Sequence, residues 1–208
     1  ISKDERDNVL LLLPGSRKHE VEKILIPMVT AYARLAADVP DLGVRVLLAP
    51  NLDEEWVSSI VRPAVPKAVF QRIEWTRGEA VAEMRRARIA VLKSGTCNLE
   101  GAIAGVPFVC VYSGSFIAKV IVSLLVPLKE YSPVNIIRPG TVTELMQLSL
   151  SDSDIANELR RLLDSDNSWH QAQSRLGLVR DRLLSSDGQI VSGKVASMVL
   201  SVVSTSRP

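Results

Sequence analysis

With 208 residues, 47% hydrophobic and 23% charged, the chain can bury one large core or two small ones and is too apolar to be disordered. A net charge of +2 lacks the basic excess of a nucleic-acid surface, so nucleic acid is not an expected partner. The two cysteines, Cys97 and Cys110, sit in apolar or helical segments without metal-ligand spacing, which argues against a disulfide framework and for a reducing compartment.

The chain opens on ISKDERDN, a charged start without the pattern of a signal peptide. It begins at Ile1 rather than Met, and a piece of a longer protein is the expectation. NVLLLLP (8–14) reads as a strand buried on both faces, as parallel strands are. A helix follows from about Arg17 to Ala37, with one apolar stripe at Val21, Ile24, Leu25, Met28, Tyr32 and Leu35 and with Pro27 as a point of kinking. VRVLLAP (44–50) is a second strand, and DEEWVSSIVRPAV gives a helix stopping before Pro63. AVFQRIE (68–74) reads as a third strand and RGEAVAEMRRA (77–87) as a short helix. IAVLK (89–93), LEGAIAG (99–105) and PFVCVY (107–112) complete the pattern as strand, helix and strand.

Five strands alternating with helices predict an α/β fold: a Rossmann-like parallel sheet flanked by helices on both faces. The apolar run FIAKVIVSLLVPL (116–128) is too short to cross a bilayer, and reads either as a buried helix or as one touching a membrane surface. Beyond Asp152 only helices are expected, from SDIANELRRLLDSD, SWHQAQSRLGLVRDRLLSS and GQIVSGKVASMVLSVV. The expected organisation is therefore a nucleotide-binding domain over 1–150 and a C-terminal helical tail over 151–208.

In an open parallel sheet, ligands bind beyond the carboxyl ends of the strands. Three polar clusters fall there: PGSRKHE (14–20), EWTRG (74–78) and KSGT (93–96). Gly15 permits a tight turn, Ser16 either caps the next helix or meets a ligand, and Arg17 could clamp a diphosphate. Ser94, Gly95 and Thr96 end a strand at a helix start, where free N–H groups and the helix dipole suit a phosphate; the plain alternative is a helix cap. Glu100, one turn on from Thr96, could accept two hydrogen bonds from a ribose, or merely stabilise a first turn. Together these suggest a nucleoside diphosphate carrying a sugar. No Walker loop and no G-x-G-x-x-G is present, so the usual ATP and NAD sites are not supported. His19 and His170 lack ligand-like company and read as solvated helix residues; no metal site is expected.

LLLPGSRKHEVEKIL, VLKSGTCNLEGAIAGVPFVCVY, YSPVNII and TELMQ, in that order, resemble the C-terminal half of lipid-A-disaccharide synthase, from about Asn8 to Gln147. That family consists of inverting hexosyltransferases of the GT-B type. The resemblance implies transfer of 2,3-diacylglucosamine from UDP to 2,3-diacylglucosamine 1-phosphate in lipid A synthesis, part of lipopolysaccharide assembly, without a metal or other cofactor. It implies that Gly15, Ser16 and Arg17 lie near the donor diphosphate and that Ser94, Gly95, Thr96 and Glu100 line the nucleotide pocket, with Asn135, Glu144 and Gln147 matched to the family's donor-side segment. The catalytic base would belong to an N-terminal half this chain lacks, leaving the chain alone inactive. Implied partners are a UDP-activated acylated sugar, a lipid acceptor, the N-terminal domain and the inner-membrane surface, in a peripheral cytoplasmic setting. The tail would pack on its own sheet, on the absent half, or in a homodimer. Ser113 stands where the family usually has a basic residue, and Pro133-Val134-Asn135 where it reads Leu-Pro-Asn. Rival readings are another GT-B UDP-sugar transferase or epimerase, or a non-catalytic nucleotide-binding module.

Overall fold

A computed structural model describes residues 2–113, 130–147 and 150–184. Within them the elements are β1 (Asp7–Leu13), α1 (Lys18–Asp38), β2 (Gly43–Leu47), α2 (Glu54–Val61), α3 (Lys67–Phe70), β3 (Ile73–Thr76), α4 (Ala80–Arg86) and β4 (Ala87–Lys93). They continue with α5 (Cys97–Ala104), β5 (Phe108–Ser113), α6 (Pro133–Ile137), β6 (Thr143–Gln147), α7 (Asp152–Leu163) and α8 (Asp166–Leu183). The strands form one sheet in the order β3-β2-β1-β4-β5-β6, with every neighbouring pair parallel.

β1 is apolar on both faces because each face has its own core. Leu10 and Leu12 join the core under α1, α2 and α7, whereas Leu11 and Leu13 join the one under α4, α5 and α8. The six apolar residues that mark the α1 stripe in the sequence are all buried. Pro27 sits inside α1 without ending it. On the other face, α5 approaches the sheet closely at Gly101: a Cβ there would come within 2.9 Å of Leu92 Cδ1 and 3.0 Å of Phe108 Cε1. Glycine at this position therefore seats α5 and fixes where its N-terminus lies.

Two expectations are corrected. Residues 67–70 form the turn α3 rather than the start of a strand, and β3 begins only at Ile73. The extended Pro66 at the head of α3 starts a helical turn and lets Phe70 pack on Trp75, with ring centroids 6.3 Å apart. Among the described residues the sheet also has six strands, not five. TELMQ pairs in parallel with β5 as its edge strand. An edge strand with two apolar residues in five shows little of the hydrophobic run by which buried strands are recognised.

The helices beyond Ser151 pack back on this sheet. Ile155 and Leu159 of α7 and Trp169 of α8 are fully buried, and the Trp169 indole N–H donates to the Arg88 carbonyl at 2.8 Å. Arg34 on α1 pairs with Asp152 at 2.9 Å. Arg6, almost wholly buried, donates to the carbonyls of Met84, Arg85, Ala87, Ala104 and Gly105 at 2.9–3.0 Å, so one guanidinium ties the ends of α4 and α5 together. The expected helices in 116–128 and in GQIVSGKVASMVLSVV lie outside the described residues. Among the described residues no helix is long and apolar enough to cross a membrane.

Candidate functional site

The sheet order reverses direction between β1 and β4. β1 leads outward through β2 to β3, and β4 leads the other way through β5 to β6. Chain leaving β1 passes to one face and chain leaving β4 to the other, which opens a crevice beyond their carboxyl ends. A cleft of about 380 Å³ occupies it, lined by the loop after β1 (Gly15, Ser16, Arg17) and the turn after β4 (Ser94, Gly95, Thr96). Leu48 and Pro50, after β2, form part of a wall. Six of the ten residues singled out in the sequence thus share one cavity.

The backbone explains why donors face this space. Gly15 has φ +100°, a left-handed value that favours glycine. Arg17 occupies the position before α1, and no side chain caps that helix. Thr96 is likewise the residue before α5 and forms no capping bond, so the helix-cap alternative is not what the structure shows. The Gly95 N–H goes to the buried Asn98 Oδ1 at 3.3 Å, while no acceptor among the described residues takes the Thr96 or Cys97 N–H. Helix N-termini with free amides attract anions.

Two side chains that fall in the polar clusters of the sequence but were given no role there, Glu20 and Lys93, complete the cleft. Glu20, 11% exposed, places Oε1 at 3.2 Å from Arg17 Nη1 and 3.2 Å from Lys93 Nζ. Burial pushes the Glu20 carboxyl up, but Lys93 and Arg17 outweigh it and hold it below the ordinary carboxylate value. Glu20 lies three residues after Arg17, a spacing at which helix side chains meet. Lys93 closes β4 directly after the apolar run 89–92. Arg17 keeps 70% of its side chain exposed, and Lys93 24%. The third cluster serves the cleft indirectly, for Arg77 donates to the Leu52 carbonyl at 2.6 Å and the Ala49 carbonyl at 3.3 Å, and Gly78 reaches the lining.

The remaining sequence candidates stand elsewhere. Glu100 is half-buried on α5, outside the lining, and its carboxylate makes no hydrogen bond or ion pair among the described residues. Glu144 on β6 accepts four hydrogen bonds: Ser132 N–H (2.9 Å) and Asn135 Nδ2 (2.7 Å) on Oε1, and Tyr131 N–H (3.0 Å) and Tyr112 O–H (3.1 Å) on Oε2. Asn135 Oδ1 accepts the N–H groups of Thr141 (2.9 Å) and Val142 (3.0 Å). Glu144 and Asn135 therefore clamp residues 131–142 to the sheet edge. Ser132 in turn donates to Asn98 Oδ1 at 3.4 Å, which joins the clamp to the Ser94–Thr96 turn. Gln147 is paired by its backbone to Ser113 at the end of β6. His19 and His170 are exposed, and no cluster of three or more metal-ligating side chains occurs among the described residues. Burial pushes the Cys97 thiol up to about 11 and the Cys110 thiol up to about 12, so neither is a ready nucleophile.

Residues 1–192 match the family model described as Lipid-A-disaccharide synthetase. The chain belongs to this family. It is 32% identical over 173 residues to the lipid-A-disaccharide synthase of Syntrophus aciditrophicus, covering 83% of this chain and 44% of that protein. The synthase of Nitrobacter hamburgensis is 28% identical over 207 residues, covering 99% of this chain and 51% of that protein. The chain thus spans about half the length of the relatives it matches. Among solved structures, the pneumococcal O-GlcNAc transferase GtfA in complex with UDP and GlcNAc superposes with a TM-score of 0.65 at 13% identity, covering 97% of this chain and 37% of that one. WaaG, a glycosyltransferase involved in lipopolysaccharide biosynthesis, gives 0.57 at 16% identity, covering 94% of this chain and 47% of that one. The resemblance read from the glycine turns is borne out at the level of family, and the fold is one half of the GT-B architecture.

Proposed function

We propose that this chain is the donor-binding half of an inverting, metal-independent hexosyltransferase that moves 2,3-diacylglucosamine from UDP to 2,3-diacylglucosamine 1-phosphate. The observation carrying this reading is the cleft between β1 and β4, where Arg17 and unpaired helix N-terminal amides converge. As the glycosidic bond breaks, UDP gains negative charge, and preorganised donors of this kind stabilise a leaving anion without a metal. Gly15, Ser16, Arg17, Ser94, Gly95 and Thr96 hold the diphosphate. Glu100 receives the ribose hydroxyls, while Asn135 and Glu144 brace the neighbouring segment. Gln147 is carried over from the family resemblance alone. The acceptor sugar-lipid and the catalytic base belong to an N-terminal half, and the reaction takes place at the cytoplasmic surface of the inner membrane.

The test is Arg17→Ala. Losing one charge-assisted contact weakens UDP binding by about 1–3 kcal/mol. An unchanged affinity removes Arg17 from the site.

A further inference from the structure

The Arg17–Glu20–Lys93 cluster holds more charge than its packing explains. Two cations converge on one oxygen, Glu20 Oε1, each at 3.2 Å. All three side chains line the cleft, and the net charge of the trio is +1. Gly15 is bare beside them: a Cβ there would stand 3.2 Å from Glu20 Oε2 and 3.6 Å from Lys93 Cδ. The other Glu20 oxygen makes no hydrogen bond among the described residues. A carboxylate in this position occupies the place that a phosphate oxygen would take between the same two cations.

We infer that Lys93 is a second phosphate-binding cation of the donor site and that Glu20 is its built-in counter-ion, exchanged for the diphosphate when a nucleotide binds. This rests on the proposed donor reading and adds two residues to it. Before a nucleotide binds, Glu20 keeps Lys93 and Arg17 extended toward the phosphate position. When the diphosphate arrives, the cations turn to it and the carboxylate becomes a nearby like charge. Glu20 therefore holds diphosphate affinity down, which favours release of UDP after transfer.

Titration with UDP and with uridine separates the phosphate contribution from that of the nucleoside. Lys93→Met weakens UDP binding about 10- to 100-fold, the worth of one charge-assisted contact, and leaves uridine unchanged. Glu20→Gln, which keeps shape and removes charge, tightens UDP binding about 3- to 30-fold, again without changing uridine. Lys93→Arg retains UDP binding. If Lys93→Met fails to fold by circular dichroism, Lys93→Gln carries the same expectation. A plain structural ion pair gives the opposite pattern: a lowered melting midpoint, with the ratio of UDP to uridine affinity unchanged in both variants. That result overturns the inference, as does weaker UDP binding in Glu20→Gln. If the unsubstituted protein binds UDP no better than uridine, the donor reading fails and the inference falls with it.

Discussion

Replacing Glu144 by Gln tests whether this carboxylate is a clamp or a ligand contact. Its two oxygens each accept two hydrogen bonds, so the four lone-pair positions of the carboxylate are filled by this chain's own donors. Gln is nearly isosteric and keeps one oxygen for Ser132 and Asn135. Its amide nitrogen must then face Tyr112 and Tyr131. The Tyr112 hydroxyl can rotate to accept, but the Tyr131 N–H cannot, and it loses its acceptor. A charge-assisted bond contributes about 1.5–3 kcal/mol and an orphaned donor adds to that loss, so the expected destabilisation is about 2–4 kcal/mol. Urea unfolding measures it, with Tyr112→Phe as a control that removes one hydroxyl donor and costs about 1 kcal/mol. UDP affinity, measured below the unfolding transition, changes less than about threefold. If stability is unaltered while UDP affinity falls more than tenfold, Glu144 is a ligand contact and the clamp argument is wrong.

Gly15→Ala puts a side chain at φ +100° and a methyl 3.2 Å from Glu20 Oε2; it destabilises by about 1–3 kcal/mol and weakens UDP binding, both readable by thermal unfolding and calorimetry. Arg6→Met removes the donor shared by five carbonyls and lowers stability by about 3–5 kcal/mol in urea, less than the gross bond count suggests, because burial already lowers the Arg6 pKa to about 10. A change below 1 kcal/mol contradicts the role given to Arg6. Cys97, pushed up to about 11, has on the order of 100-fold less thiolate at neutral pH than a free cysteine. Alkylation by iodoacetamide, followed by mass spectrometry, is correspondingly slow in the folded protein and fast in urea.

Local pattern carried the fold where one side chain set determines one element. The α1 stripe and the apolar runs of β1, β2, β4 and β5 were legible because burial on one or both faces leaves a periodic trace. β6 left none, since its place is fixed by pairing with β5 rather than by its own composition. Residues 68–74 misled because β-branched and aromatic residues suit strands, yet Pro66 starts a helical turn that runs into them. At the site, the two glycine turns stood out in the sequence as polar ends of apolar strands, and they converge because strand order puts β1 beside β4. Which charges meet in the cleft was not legible. Lys93 and Glu20 are 73 positions apart in sequence, and only the sheet brings them within an ion pair. Glu144 and Asn135 read equally well as ligand contacts until the structure shows how many of their hydrogen bonds stay within the chain.

The crevice between β1 and β4 is proposed as a nucleoside-diphosphate site selective for UDP. Calorimetric titration of the protein with UDP, with UMP and ADP as controls, addresses it most directly. The expected result is one site per chain, with UDP binding at least about tenfold more tightly than UMP, since the second phosphate adds charge-assisted contacts, and more tightly than ADP. Equal affinity for UDP and UMP, or no binding of any of the three, contradicts it.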